Sequence, residues 1–161
     1  MDTIGTITKV VNITIEALSM LHVKSSKNIF PVDSKEISSL LESEKIIMIK
    51  YNLCTLLNNL SCYALIDQST FVYSLVLVDL LVKKKLVTLN TLITSFIGVL
   101  LIALKMNQDL YRPKLFCLIS GISLDNLEMI EAEILEKLQY KVSISADVYE
   151  SYSFCLRKLN I

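Results

Sequence analysis

Two oppositely charged residues fall where charge is expensive. In the run Ser123–Leu138, a helical period of about 100° per residue places Leu124, Leu127, Ile134, Leu135 and Leu138 on one stripe. Glu131 lies within that stripe, one heptad from both Leu124 and Leu138, whereas Glu133 and Glu136 fall on the far, solvent side. A carboxylate inside an apolar face is costly unless it is paired. Lys105 is the matching cation. It closes the most uniformly apolar run of the chain, where an ammonium must either reach out to water or meet a carboxylate. Such a pair has two uses. It is an internal ion pair closing the edge of a core, or a polar grip on another protein.

The remaining reactive residue types give no pattern of their own. Ser120 and Ser123 stand near Gly121, but there is no GxSxG, and the sole histidine, His22, lies about a hundred residues away. Glu131 has no second carboxylate placed for general acid–base work. Catalysis is therefore not expected. The cysteines are Cys54, Cys62, Cys117 and Cys155, none in a CxxC pair, so no zinc site is expected and the four read as reduced core residues. Neither GxGxxG nor GxxxxGK[ST] occurs, and no cofactor or metal is expected.

Composition bounds the class of molecule. A length of 161 residues suits one domain, and 53% apolar with 20% charged residues excludes a disordered segment. With 3 Gly and 2 Pro, the chain lacks the turns of an all-β sandwich or barrel. Lys plus Arg (16) balances Asp plus Glu (16), so no net field attracts nucleic acid or anionic lipid. The first twenty residues lack the basic start, continuous apolar run and cleavage site of a signal peptide, which points to the nucleus or cytoplasm rather than secretion.

The elements that must position Lys105 and Glu131 are helical. Met1–Val23 has a loose helical pattern, and Lys24–Val32 reads as a polar break ending at a proline. Asp33–Glu42 reads as a short helix with Asp33 or Ser34 as its cap and Glu36 in its first turn. Ile46–Tyr63 follows as a separate helix, then Asp67–Lys84, opened by Asp67 or Ser69 and closed by Lys83–Lys85. Asn90–Met106, Ser123–Leu138 and Asp147–Leu159 complete the set, and the stretch up to Pro113 looks irregular. The pattern predicts an all-α bundle of five to seven helices, with residues 1–44 as an N-terminal extension and 45–161 as the main domain.

Leu86–Leu104 holds nineteen residues without a charge, the length of a membrane span. Thr88, Asn90, Thr91, Thr94 and Ser95 crowd its first half and look like a helix start after a loop. The remaining fifteen or so residues suit the central helix of a soluble bundle better. A small membrane protein built on 86–106 is the alternative.

Three segments together resemble the cyclin box. GISLDNLEMIEAEILEKLQYKV (Gly121–Val142) resembles the end of the box, with its GGISL-type entry, a helix with a central Glu, then an aromatic and an extended stretch. SLVLVDLLV (Ser74–Val82) resembles the YIDR helix, with Asp79 matching its Asp. TLNTLITSFIGVLLIALKMNQD (Thr88–Asp109) resembles the central helix with its Ala-Lys ending. The GISL entry and the insert Tyr111–Ser120 are similar to the P-type, or U-type, phosphate-signalling branch. The resemblance spans Ile46–Tyr152, about two-thirds of the chain.

The resemblance implies a five-helix box with a helix added at each end, and a regulatory partner for a cyclin-dependent protein kinase whose αC helix it positions. It implies kinase contacts at Lys105 and Glu131, with apolar contacts at Met106, Tyr140 and Val142. Leu80 replaces the Arg of YIDR, and Asn107 and Gln108 stand where acidic residues are common. The first-helix motif that docks substrate peptides in cell-cycle cyclins is not visible in Ile46–Tyr63. A helical scaffold of the same fold that activates no kinase is the second alternative.

Overall fold

Capping side chains set several of the helix starts. The computed structural model describes residues 2–25, 32–108 and 111–159, with side chains over 2–20, 42–108 and 111–159. Among them are seven helices and no strand: α1 (Thr3–Ser25), α2 (Val32–Tyr63), α3 (Gln68–Lys83), α4 (Leu92–Asn107), α5 (Pro113–Ser120), α6 (Leu124–Lys137) and α7 (Ala146–Lys158). Asp67 caps α3 by accepting from the Thr70 N–H, and Ser123 and Ser145 cap α6 and α7 in the same way. A 3-10 turn at Leu89–Thr91 leads into α4, where the Thr91 hydroxyl accepts the Thr88 N–H at 3.0 Å. The polar first half of the charge-free run is thus the helix entry its residues suggested.

The core is built around α4. Its residues Leu92 and Ser95–Leu104 are buried, between α3 on one side and α6 on the other. Leu89–Asn107 has the length and hydropathy to cross a bilayer, yet two-thirds of it (67%) is buried inside the protein. The neighbouring helices take up that apolar surface, as in a central bundle helix.

α1 joins the same core. Ile7, Val10, Val11, Ile15 and Leu18 form a buried stripe against α3 and α2. Its buried hydroxyls are satisfied locally: Thr6 and Thr14 donate to the carbonyls of Asp2 and Val10, four residues back, at 2.9 and 2.8 Å.

Several expectations need correction. The two helices read over 33–42 and 46–63 are one continuous helix, α2, because Ser43-Glu44-Lys45 contains no Gly or Pro to break it. The proposed caps Asp33 and Ser34, with Glu36, and also His22, lie outside the described side chains. The stretch around Pro113 is not irregular throughout. Pro113 opens α5, where its missing N–H costs nothing, and Gly121, with φ of 70°, closes it. Leu124 is 43% exposed, since the stripe of α6 reaches the core only from Leu127 onward. Cys62 and Cys155 are surface residues; all four cysteines are free thiols, but only Cys54 and Cys117 are half-buried.

Candidate interaction site

The site begins with a contact between two helices. Gly98 lets α4 and α6 touch: a Cβ there would lie 2.6 Å from Ile134 Cγ1 and 3.0 Å from Ile130 Cγ2. Two turns further along α4, the Lys105 ammonium reaches both oxygens of Glu131, Oε1 at 3.0 Å and Oε2 at 2.8 Å. The Lys105 side chain is 42% exposed and that of Glu131 15% exposed. The pair therefore closes the core's edge but remains open to solvent on the lysine side. Lys105 Nζ also stands 5.0 Å from the centroid of the Tyr111 ring. Tyr111 in turn meets Phe116 of α5 edge-on, at 6.3 Å between centroids. Burial raises the Tyr111 hydroxyl above its ordinary pKa, with the Lys105 charge opposing that rise. Glu133, by contrast, pairs with Lys137 at 2.9 Å on the outer side of α6, as the stripe predicted.

The residues that follow Lys105 tie this end of α4 to the start of α3. Met106 is left 49% exposed. Asn107 Nδ2 donates to Ser69 Oγ at 2.7 Å and to Thr70 Oγ1 at 3.1 Å. Gln108 Oε1 accepts from the Thr70 hydroxyl at 2.7 Å and from the Asp67 N–H at 3.2 Å, while its Nε2 donates to Leu65 O. Both side chains thus act as neutral amide clasps. Asp67 already places a carboxylate beside Thr70, its Oδ1 3.0 Å from the Thr70 N–H.

The extended stretch after α6 is anchored to the same helix. α6 ends with Gln139 and Tyr140 both in the left-handed region, at φ of 54° and 58°. Such backbone is costly for non-glycine residues and is kept only where the surroundings dictate it. Here the Tyr140 N–H closes onto Leu135 O at 2.9 Å, and the Tyr140 side chain projects 71% exposed. Two residues on, the Tyr73 hydroxyl of α3 donates to Val142 O at 2.6 Å, and the half-buried Val142 side chain packs on the core.

Asp79 belongs to a different place. It lies roughly 13 Å along α3 from Thr70, by the rise of the helix. It accepts hydrogen bonds from Tyr152 of α7 and from Lys83, the latter at 2.8 Å. Lys9 of α1 adds a bond to Leu156 O at 2.9 Å, so α7 is held at two points. The hydroxyls of Ser120 and Ser123 serve the backbone of Ile122 and Asn126. Among the described residues, no three His, Cys, Asp or Glu side chains come together as a metal-binding group.

The structure thus joins Lys105 to Glu131, sets Met106 beside them and links Val142 to the same end of α3; Asp79 serves α7. Sequence reasoning missed Tyr111, Phe116 and Tyr73. An aromatic outside a periodic stripe gives no signal of its partner. Gly98 was missed as well, although an isolated glycine in an apolar helix is a signal of close approach.

The family model for the cyclin N-terminal domain matches residues 20–143, well over half the chain. The chain belongs to the cyclin family. No curated protein and no solved structure matches it. In this cyclin the all-α box has its five helices in α2–α6, with α1 and α7 flanking it. A cyclin-type regulator, with a kinase as the general kind of partner, follows from that membership.

Proposed function

We propose that this cyclin binds a cyclin-dependent protein kinase and activates it by holding the kinase's αC helix inward. The observation that supports this most is the open Lys105–Glu131 pair beside exposed Met106. Two of the three ammonium N–H groups face Glu131, which leaves one donor and the spare carboxylate lone pairs side by side. That arrangement complements the C=O and N–H of a partner's backbone through charge-assisted hydrogen bonds. Apolar area from the exposed Met106 and Tyr140, with the part of Val142 left outside the core, would supply affinity.

A kinase needs its αC Glu paired with the ATP-gripping Lys. A regulator shifts that equilibrium only by binding the inward state better. Moving a kinase from almost wholly off to almost wholly on requires about 5.5 kcal/mol of differential binding. A standard interface of about 1,600 Å² suffices. The chain itself is assigned no catalytic role. The GISL entry and the α5 insert favour the P-type or U-type branch, and the nucleus or cytoplasm is the proposed location.

The test is affinity purification of the tagged full chain from its native cell. A protein kinase in stoichiometric amount, active on a generic peptide and lost with Glu131→Ala, is the expected result. A kinase that is captured but not activated would favour the scaffold reading, and no kinase at all would end the activation reading.

A further inference from the structure

We infer that Tyr111 is a positioning residue for Lys105, a pillar that keeps the ammonium on Glu131 and aimed at the partner. This rests on the kinase-binding reading above. A half-exposed lysine on a four-carbon stem has many rotamers, and an ion pair this open is not by itself enough to hold one of them. The Tyr111 ring stands 5.0 Å from Nζ, within the reach of a cation–π contact, and takes one flank of the ammonium. Glu131 takes another, at 2.8 and 3.0 Å. The ring is itself held. It meets Phe116 edge-on at 6.3 Å, and Phe116 is 1% exposed, in the core. Side chains from α6 and from the segment entering α5 thus flank the Lys105 ammonium on two sides. The ring face does this work and the hydroxyl does not, so Phe should replace Tyr and an aliphatic residue should not.

The test has two arms on the full chain. In the first, without any kinase, the amines are acylated with limiting acetic anhydride and Lys105 labelling is read by mass spectrometry against Lys114. Tyr111→Leu should raise Lys105 labelling about two- to fivefold, the size of an exposed cation–π contact, while Tyr111→Phe stays at the wild-type rate. Unchanged labelling in Tyr111→Leu overturns the proposal. Should that variant melt early, Tyr111→Met keeps bulk against Phe116 and replaces it. The second arm measures affinity for the kinase recovered with the tagged chain. Tyr111→Leu should weaken it about two- to fivefold, with rescue by Tyr111→Phe. Full affinity in Tyr111→Leu, when Glu131→Ala has lost binding, also overturns the proposal. Undiminished affinity in both Glu131→Ala and Lys105→Ala overturns the role of the charge pair in kinase binding instead, and the labelling arm still decides whether Tyr111 holds Lys105.

Discussion

Gly98 and Ile134 are in contact across α4 and α6, so closely that a Cβ on the glycine would lie 2.6 Å from Ile134 Cγ1. The register of that contact decides where Glu131, three residues before Ile134, meets α4. Gly98→Ala improves helix propensity by up to about 1 kcal/mol, yet overpacking here should outweigh that gain. The expected net loss is about 1–3 kcal/mol. Urea unfolding measures it, and a variant as stable as wild type would show that α6 shifts freely.

Removing the Lys105–Glu131 pair should hardly affect folding. Part-exposed ion pairs contribute about 0–1 kcal/mol, against about 3–5 kcal/mol for breaking a fully buried one. Glu131→Ala is expected to keep its melting temperature within a few degrees while kinase capture is lost. A large drop in the melt would assign the pair to the core rather than to a partner.

The amide clasp at the other end of the site should be structural. Thr70 is fully buried and its hydroxyl bonds Gln108 Oε1 and receives Asn107 Nδ2. Thr70→Val leaves both amides short of a partner and should cost about 1–3 kcal/mol. Gln108→Glu restores the family's acidic character but adds a carboxylate near Asp67 and removes the donor to Leu65 O. It should destabilise the chain, more so at low salt. Denaturant melts at two salt concentrations check both.

Alkaline pH should loosen the bundle. Burial raises the hydroxyls of Tyr73, Tyr111 and Tyr152, with the bond to Asp79 adding to the rise at Tyr152 and opposing contributions from Ile144 at Tyr73 and Lys105 at Tyr111. A raised pKa means the folded chain binds more protons than the unfolded chain above the ordinary tyrosine value of about 10. Stability is then intact below about pH 10 and declines as pH rises through the folded values. Tyrosinate absorbance should show a late-titrating group of residues that lose their delay in denaturant.

Loss of α1 should be severe. Its stripe of Ile7, Val10, Val11, Ile15 and Leu18 is buried in the common core. A chain lacking residues 1–23 should fail to fold cooperatively, and Val10→Ala alone should cost about 1–3 kcal/mol through its cavity. A deletion that melts like wild type would make α1 dispensable.

The sequence by itself determined helix type, the cap of α3 and the fact that two charges lie in costly places. Asp67 and Ser123 mark helix starts through local chemistry, and the stripe of α6 isolates Glu131 by periodicity alone. These signals lie within a few residues, where helix geometry fixes what meets what. Only the tertiary structure decided that Lys105 meets Glu131 across 26 positions, that Tyr111 covers the ammonium, and that Tyr73 ties down the stretch after α6 at Val142. It also fused the two expected helices before Tyr63 into one. The physical reason is that distant contacts depend on how closely helices approach, which one missing Cβ at Gly98 sets and no periodicity records.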